Sequence, residues 1–185
     1  NDIFIGGALG QGGLLYIQTE NESFVENSSQ PWSQDKDSED LGALFFDVDQ
    51  DNDLDLYITS GGSEYSQGNP LLKDRLYIND GSGNFTKNEN AVPNIYESTE
   101  CVKTSDVDND GDLEIVTNNI DDFASIFENR SSEINNHLTL RFKGPEKNKF
   151  GIGVRVNVYA NGENQFQEMT LTRGFQSSVA PQFHF

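Results

Sequence analysis

The stretch Asp47-Val48-Asp49-Gln50-Asp51-Asn52-Asp53-Leu54-Asp55-Leu56-Tyr57-Ile58 returns, position for position, as Asp106-Val107-Asp108-Asn109-Asp110-Gly111-Asp112-Leu113-Glu114-Ile115-Val116-Thr117. Each copy is an acidic, turn-forming loop that runs straight into a β-prone apolar segment. The opening run Asn1 to Gly7 matches the tail of the same unit, Asp55 to Gly62. A second element recurs downstream as Leu15-Tyr16-Ile17, Leu76-Tyr77-Ile78 and Ser125-Ile126-Phe127. Asn- and Gly-rich turns follow it, with Phe24 and Phe85 closing the first two copies. The repeat is therefore about 50 to 60 residues long and supplies about four short strands, the content of one propeller blade.

Working outward from the repeat, every clear periodic segment is β. Short strand-prone runs cover Asp2–Ile5, Leu14–Ile17, Leu44–Phe46, Leu54–Thr59, Arg75–Ile78, Leu113–Thr117 and Ser125–Phe127. The C-terminal part adds His137–Phe142, Val154–Tyr159, Glu168–Thr172 and Gln182–Phe185, and Val154–Tyr159 alternates apolar and polar residues as a half-solvated strand does. No run of ten residues carries a helical apolar period. The expected fold is all-β: a partial β-propeller of about two and a half blades of four-stranded sheet, followed by a small β-rich C-terminal module. A blade cannot bury both of its faces alone, so neighbouring blades must stack on it. A closed propeller takes four to eight blades, so the chain reads as part of a larger one. Its start at Asn1 and its end at Phe185 agree with a cut at both ends.

Charge divides the chain in the same place as the repeat. Of 185 residues, 31 are acidic and 12 basic, a net charge of −19. Residues 1–134 carry 28 of the acids and 6 of the bases; residues 135–185 carry only Glu146, Glu163 and Glu168 against 6 bases. The expected domains are propeller blades over 1–134 and a separate module over 135–185, joined by a polar linker from Asn129 to Asn136. An acidic surface excludes a phosphate-backbone ligand, which needs clustered Lys and Arg, and disfavours anionic membranes. No apolar run reaches the roughly 20 residues of a membrane span. The single Cys101 allows no internal disulfide or cysteine zinc site. Two histidines leave little room for imidazole catalysis, so the chain reads as a non-enzyme with no catalytic residue.

The remaining chemistry lies in the acidic loops. Asp47, Asp49, Asp51 and Asp55, and likewise Asp106, Asp108, Asp110 and Glu114, put four carboxylates within nine residues. Unneutralised, they repel one another. A hard cation with six to eight oxygen ligands removes that cost, and Ca²⁺ suits the flexible ligand set better than Mg²⁺. Position 6 of the loop calls for a left-handed backbone, which Gly111 and Asn52 supply. Asp53 and Asp112, at position 7, are expected to offer their backbone carbonyls. The loop is not an EF-hand, because position 12 is Ile58 or Thr117 rather than Glu and strands, not helices, follow. Two calcium sites are expected.

This loop inside a 50–60-residue β unit resembles the FG-GAP/VCBS repeats of calcium-binding β-propellers. The stretch Asn136-His137-Leu138-Thr139-Leu140, then Gly144, Gly151 to Val156, Gln167 and Gly174 to Phe185, resembles the ASPIC/UnbV domain. Val154 stands where that pattern expects a small residue, and Gln167-Glu168 lacks its usual Arg. The resemblance implies a secreted or cell-surface module that binds a protein or carbohydrate partner. The alternative is a non-catalytic accessory part of a secreted polysaccharide- or lipid-processing enzyme, and sequence outside this stretch separates the two.

Other signals read as structure. The run Gly6 to Gly13 lacks phosphate-loop spacing and reads as a loop; Gly151-Ile152-Gly153 reads as a bend. Trp32 reads as blade packing ahead of sugar stacking, Cys101 as a small buried group, His184 as packing and His137 as solvated. Asn21, Asn27, Asn84 and Asn129 begin N-x-S/T sequons, which matter only in a glycosylating host.

Overall fold

The apolar run after the first acidic loop becomes β5 (Asp55–Gly61), the most buried strand of the molecule, with Leu56, Tyr57 and Ile58 each fully covered. It is central in a four-stranded sheet ordered β4 (Glu39–Phe46), β5, β6 (Arg75–Asn79), β7 (Phe85–Lys87). Every pairing is antiparallel, with Phe46 opposite Asp55, Leu56 opposite Tyr77 and Ile78 opposite Thr86. β1 (Ile3–Ile5), β2 (Leu14–Gln18) and β3 (Phe24–Glu26) make a second sheet in that order. β8 (Thr99–Ser105), β9 (Glu114–Asn119) and β10 (Ser125–Phe127) make a third, ordered β10-β9-β8. This computed structural model describes residues 2–131, 136–160, 162–172 and 178–185.

The chain is all-β, with three successive small sheets matching the expected succession of repeats. Of these, β4–β7 has the full four strands among the described residues. Two further two-stranded sheets follow in the C-terminal part, and single 3₁₀ turns stand at Pro31–Gln34, Pro70–Leu72 and Glu146–Asn148. Among the described residues no helix is long and apolar enough to cross a membrane.

Two compact units emerge. The first comprises Asn1–Phe46, Asp53–Val102 and Thr117–Ser125. Its core gathers Leu15, Trp32, Leu56, Ile58, Tyr77 and Phe85, with Phe4, Ile17 and Phe45 against it. Trp32, only 2% exposed, meets Phe4 edge-on at 5.3 Å and Tyr77 edge-on at 5.4 Å. It therefore packs residues of the β1–β3 sheet against those of β4–β7, as expected, and is not a sugar platform. Aromatic pairs of this kind add roughly 0.5–1.5 kcal/mol to what their area buries. Beneath the strands runs a polar network. Arg75 pairs with Asp40 at 2.5 Å, Asp40 accepts the Gly7 N–H at 2.7 Å, and Asp74 accepts from the Ser60 N–H and the Tyr57 hydroxyl, both at 2.9 Å. The Gly6–Gly13 run is thus a braced loop.

The second unit comprises Asp47–Asn52, Lys103–Val116 and Ile126–Phe185. β11 (Thr139–Arg141) pairs antiparallel with β14 (Gln182–His184), and β12 (Arg155–Ala160) with β13 (Glu163–Glu168). Phe183 is buried and meets Phe142 at 5.7 Å and Phe185 at 5.9 Å. The strand expected over Glu168–Thr172 is corrected: the partner of β12 is β13, which ends at Glu168. Its sequence ENQFQE has one strong β-former, so composition hid it. Cys101 is half-buried rather than buried. Of the expected linker, residues 132–135 lie outside the described residues, while Asn129 is anchored by hydrogen bonds to Val48 and Leu113 carbonyls.

Candidate metal centre

Both acidic loops are hairpin connections between an outer and a central strand. The first leaves β4 after Phe46 and enters β5 at Asp55, and these two residues are register partners. The second leaves β8 after Ser105 and enters β9 at Glu114. In each, the acid at position 9 is the first residue of a buried strand, and it is buried too: Asp55 is 0% and Glu114 2% exposed.

The two loops share an unusual backbone. Asn52 (φ 77°) and Gly111 (φ 101°) at position 6 are left-handed, as expected. Gln50 (φ 59°) and Asn109 (φ 65°) at position 4 are left-handed as well, which the sequence did not announce. Non-glycine residues pay for this conformation. Two turns of that kind curl nine residues so that the side chains at positions 1, 3 and 9 converge.

The convergence is real in both loops. Asp47, Asp49 and Asp55 bring one carboxylate oxygen each within 4.8 Å of the others, and so do Asp106, Asp108 and Glu114. Asp110, Asp112 and Glu114 make a third such group. Asp51 falls outside these groups but donates its backbone N–H to Asp47 Oδ1 at 3.1 Å, while the Asn52 N–H donates to Oδ2 at 3.1 Å. Asp53 is half-exposed, with Oδ2 beside Gly81. Asp112, expected to offer its backbone carbonyl, also brings its carboxylate to the site. Its side chain is 1% exposed and its carboxylate is in the cluster, held by a hydroxyl hydrogen bond from Ser131 at 3.4 Å.

The electrostatics are those of a site short of positive charge. Burial pushes Asp47 up to about 6, against the pull of the Asn52 and Asp51 N–H groups. Burial and the neighbouring Asp51 carboxylate raise Asp49. Burial pushes Glu114 up to about 7; the Val107 N–H at 2.6 Å opposes this, and the Asp112 and Asp108 carboxylates add to it. Asp106 Oδ1 and Glu114 Oε1 are buried without a hydrogen-bond donor among the described residues. Buried acceptors without donors are expensive. The donor set is all oxygen, and calcium–oxygen distances of 2.3–2.6 Å put ligands on opposite sides of the ion about 5 Å apart. The residues present fit Ca²⁺.

Residues outside the loops brace them. Asn79 donates its backbone N–H to Asp55 Oδ1 at 2.9 Å and its amide to the Leu54 carbonyl at 3.2 Å. Asn129 donates to the Val48 carbonyl at 2.8 Å and the Leu113 carbonyl at 3.5 Å; within the loops, Gln50 of the first donates to the Gly111 carbonyl of the second at 3.3 Å. His184 lies 4.0 Å from Asp106, and the exposed His137 ring rests on Gly111. Aligning the second element on Ser125-Ile126-Phe127 sets Asn79 opposite Glu128, and that one-residue offset hid the pairing of Asn79 with Asn129.

Comparison with known families agrees with this geometry. Residues 47–117 match the family model described as FG-GAP-like repeat, and residues 144–185 match the one described as ASPIC and UnbV. A comparison with curated proteins returns no match. The chain carries an FG-GAP-like repeat segment, a β-propeller element, followed by an ASPIC and UnbV segment.

Proposed function

We propose that the chain is a calcium-stabilised, non-catalytic propeller module of an extracellular or cell-surface protein, presenting its blades to a protein or carbohydrate partner. The observation that carries the reading is the pair of buried oxygens, Asp106 Oδ1 and Glu114 Oε1, left without donors inside a loop that the chain repeats. Buried acceptors of this kind are expensive unless a cation completes them, and the first loop repeats the spacing of the carboxylates around them. Extracellular calcium modules bind with Kd of roughly 10⁻⁴–10⁻³ M, which matches a protein bathed in millimolar calcium. The acidic balance supports the same setting. His184 packs beside the second loop, and the exposed His137 ring rests on Gly111.

The test is thermal unfolding of the protein in 3 mM calcium and in EDTA. Each site is expected to contribute about 1–2 kcal/mol by mass action, so EDTA is expected to lower Tm by roughly 5–10 °C. An unchanged Tm, with no calcium found by elemental analysis, overturns the reading.

A further inference from the structure

At position 9 the two loops differ by one methylene, and the difference changes what they can hold. Asp55 in the first loop reaches one carboxylate group, with Asp47 and Asp49, and its Oδ1 takes the Asn79 N–H. Glu114 in the second loop belongs to two groups, one with Asp106 and Asp108 and one with Asp110 and Asp112. Glu114 is 2% exposed; its Oε2 accepts the Val107 N–H, and its Oε1 has no donor among the described residues. The Asp112 carboxylate beside it is 1% exposed. Its counterpart in the first loop, Asp53, is half-exposed and stands outside the cluster.

We infer that the second loop holds two divalent cations, calcium by its donor chemistry, with Glu114 bridging a position made with Asp106 and Asp108 and a position made with Asp110 and Asp112. Five carboxylates in nine residues leave three negative charges after one Ca²⁺ and one after two. A single cation on the Asp106 side leaves the Asp112 and Glu114 carboxylates facing each other in a buried place, where like charges are costly. A carboxylate shared between two ions is a known solution at separations of about 3.5–4 Å. The inference rests on the calcium reading above and goes beyond it in stoichiometry and in giving Asp112 a side-chain role.

Native mass spectrometry and calcium titration calorimetry on the whole chain decide it. The wild type is expected to take three Ca²⁺, and Asp112→Asn to take two. Asp47→Asn/Asp49→Asn disables the first loop, leaves the second intact and is expected to keep two. Two ions in the wild type, three in Asp112→Asn, or one in the first-loop variant each overturn the bridged pair while the calcium reading stands. Should Asp112→Asn fail to fold, the wild-type and first-loop counts still decide. No ion in the wild type overturns both.

Discussion

Asn79 and Asn129 brace the two acidic loops in the same way: each donates its side-chain amide to the carbonyl of the leucine just before the position-9 acid, Leu54 at 3.2 Å and Leu113 at 3.5 Å. Asn129 goes further, because the same amide reaches the Val48 carbonyl in the other loop at 2.8 Å. Its own Oδ1 accepts the Arg130 and Ser131 N–H groups, which fixes the orientation of the amide. One side chain thus holds a carbonyl from each acidic loop.

Asn129→Ala removes both donors and leaves two carbonyls to find water. A hydrogen bond contributes about 1 kcal/mol net, so the variant is expected to lose about 1–2 kcal/mol in urea unfolding and to bind calcium more weakly. Asn129→Asp keeps the acceptor and puts a carboxylate against two carbonyls, so it is expected to lose more. Equal stability of all three proteins would show that water already serves these carbonyls.

How much of this was legible follows from where each signal resides. The loop carboxylates and their strands are local, spelled by residues at fixed spacing, and the all-β repeat was readable from them. β3, β7, β8 and β13 were not among the runs that composition marked. β8 (TECVKTS) carries its β-branched residues among charged ones, and β13 is mostly Asn, Gln and Glu, so pairing rather than propensity makes them strands. The bracing roles of Asn129, Ser131 and Gln50 depend on contacts far along the chain and leave no local trace. Asp112 is the instructive case. Spacing alone assigned it a backbone role, and nothing local in the sequence marks that its carboxylate stands within 4.8 Å of those of Asp110 and Glu114.

Within the first loop, Asp49 and Asp53 separate ligand from bystander. Asp49 shares a group with Asp47 and Asp55, and Asp53 shares none. Asp49→Ala is therefore expected to weaken calcium binding at this loop at least tenfold, about 1.4 kcal/mol. Asp53→Ala keeps the backbone carbonyl expected at position 7, so its loss of calcium affinity is expected to be much smaller. In the second loop the pattern is expected to change, with Asp108→Ala and Asp112→Ala both costly. Calorimetric titration of the four variants checks this, and equal losses from Asp49→Ala and Asp53→Ala would mean a diffuse counterion instead of a site.

Asp74 sets a pH dependence in the first unit. Burial pushes its carboxyl up to about 6, against the pull of the Ser60 N–H and the Tyr57 hydroxyl, among others. The folded chain then holds this proton more tightly than the unfolded chain does, whose Asp titrates near 3.9. Between about pH 4 and 6 the folded state binds more protons, so this group's contribution to stability falls as pH rises, by about 3 kcal/mol across the window. Asp74→Asn keeps an acceptor for Ser60 and turns the Tyr57 hydroxyl from donor to acceptor. It is expected to flatten that part of the profile. Urea unfolding of both proteins from pH 4 to 7.5 gives the difference curve, and parallel profiles would refute the shift.

Gly111 carries two separate demands, and a double-mutant cycle separates them. Its φ of 101° strains any residue with a Cβ, at a cost of roughly 1 kcal/mol. A Cβ there would also lie 2.0–2.1 Å from His137 Nδ1, Cε1 and Cγ, so the ring has to leave its seat on the glycine. Gly111→Ala is expected to cost about 2 kcal/mol in the wild-type background. In the His137→Ala background the steric part is gone and only the backbone part remains, so the cost should fall to about 1 kcal/mol. His137→Ala alone should change little, because the ring is exposed and it is the glycine that makes room for it. The comparison position is Asn52, at the same place in the first loop, with φ 77° and a side chain that tolerates it. Asn52→Gly is expected to be neutral or slightly stabilising. The ring signals of His137 in the NMR spectrum give an independent readout, moving in Gly111→Ala and staying in Asn52→Gly. Strict additivity of Gly111→Ala and His137→Ala would mean that the loop shifts as a body and that the contact between them sets nothing.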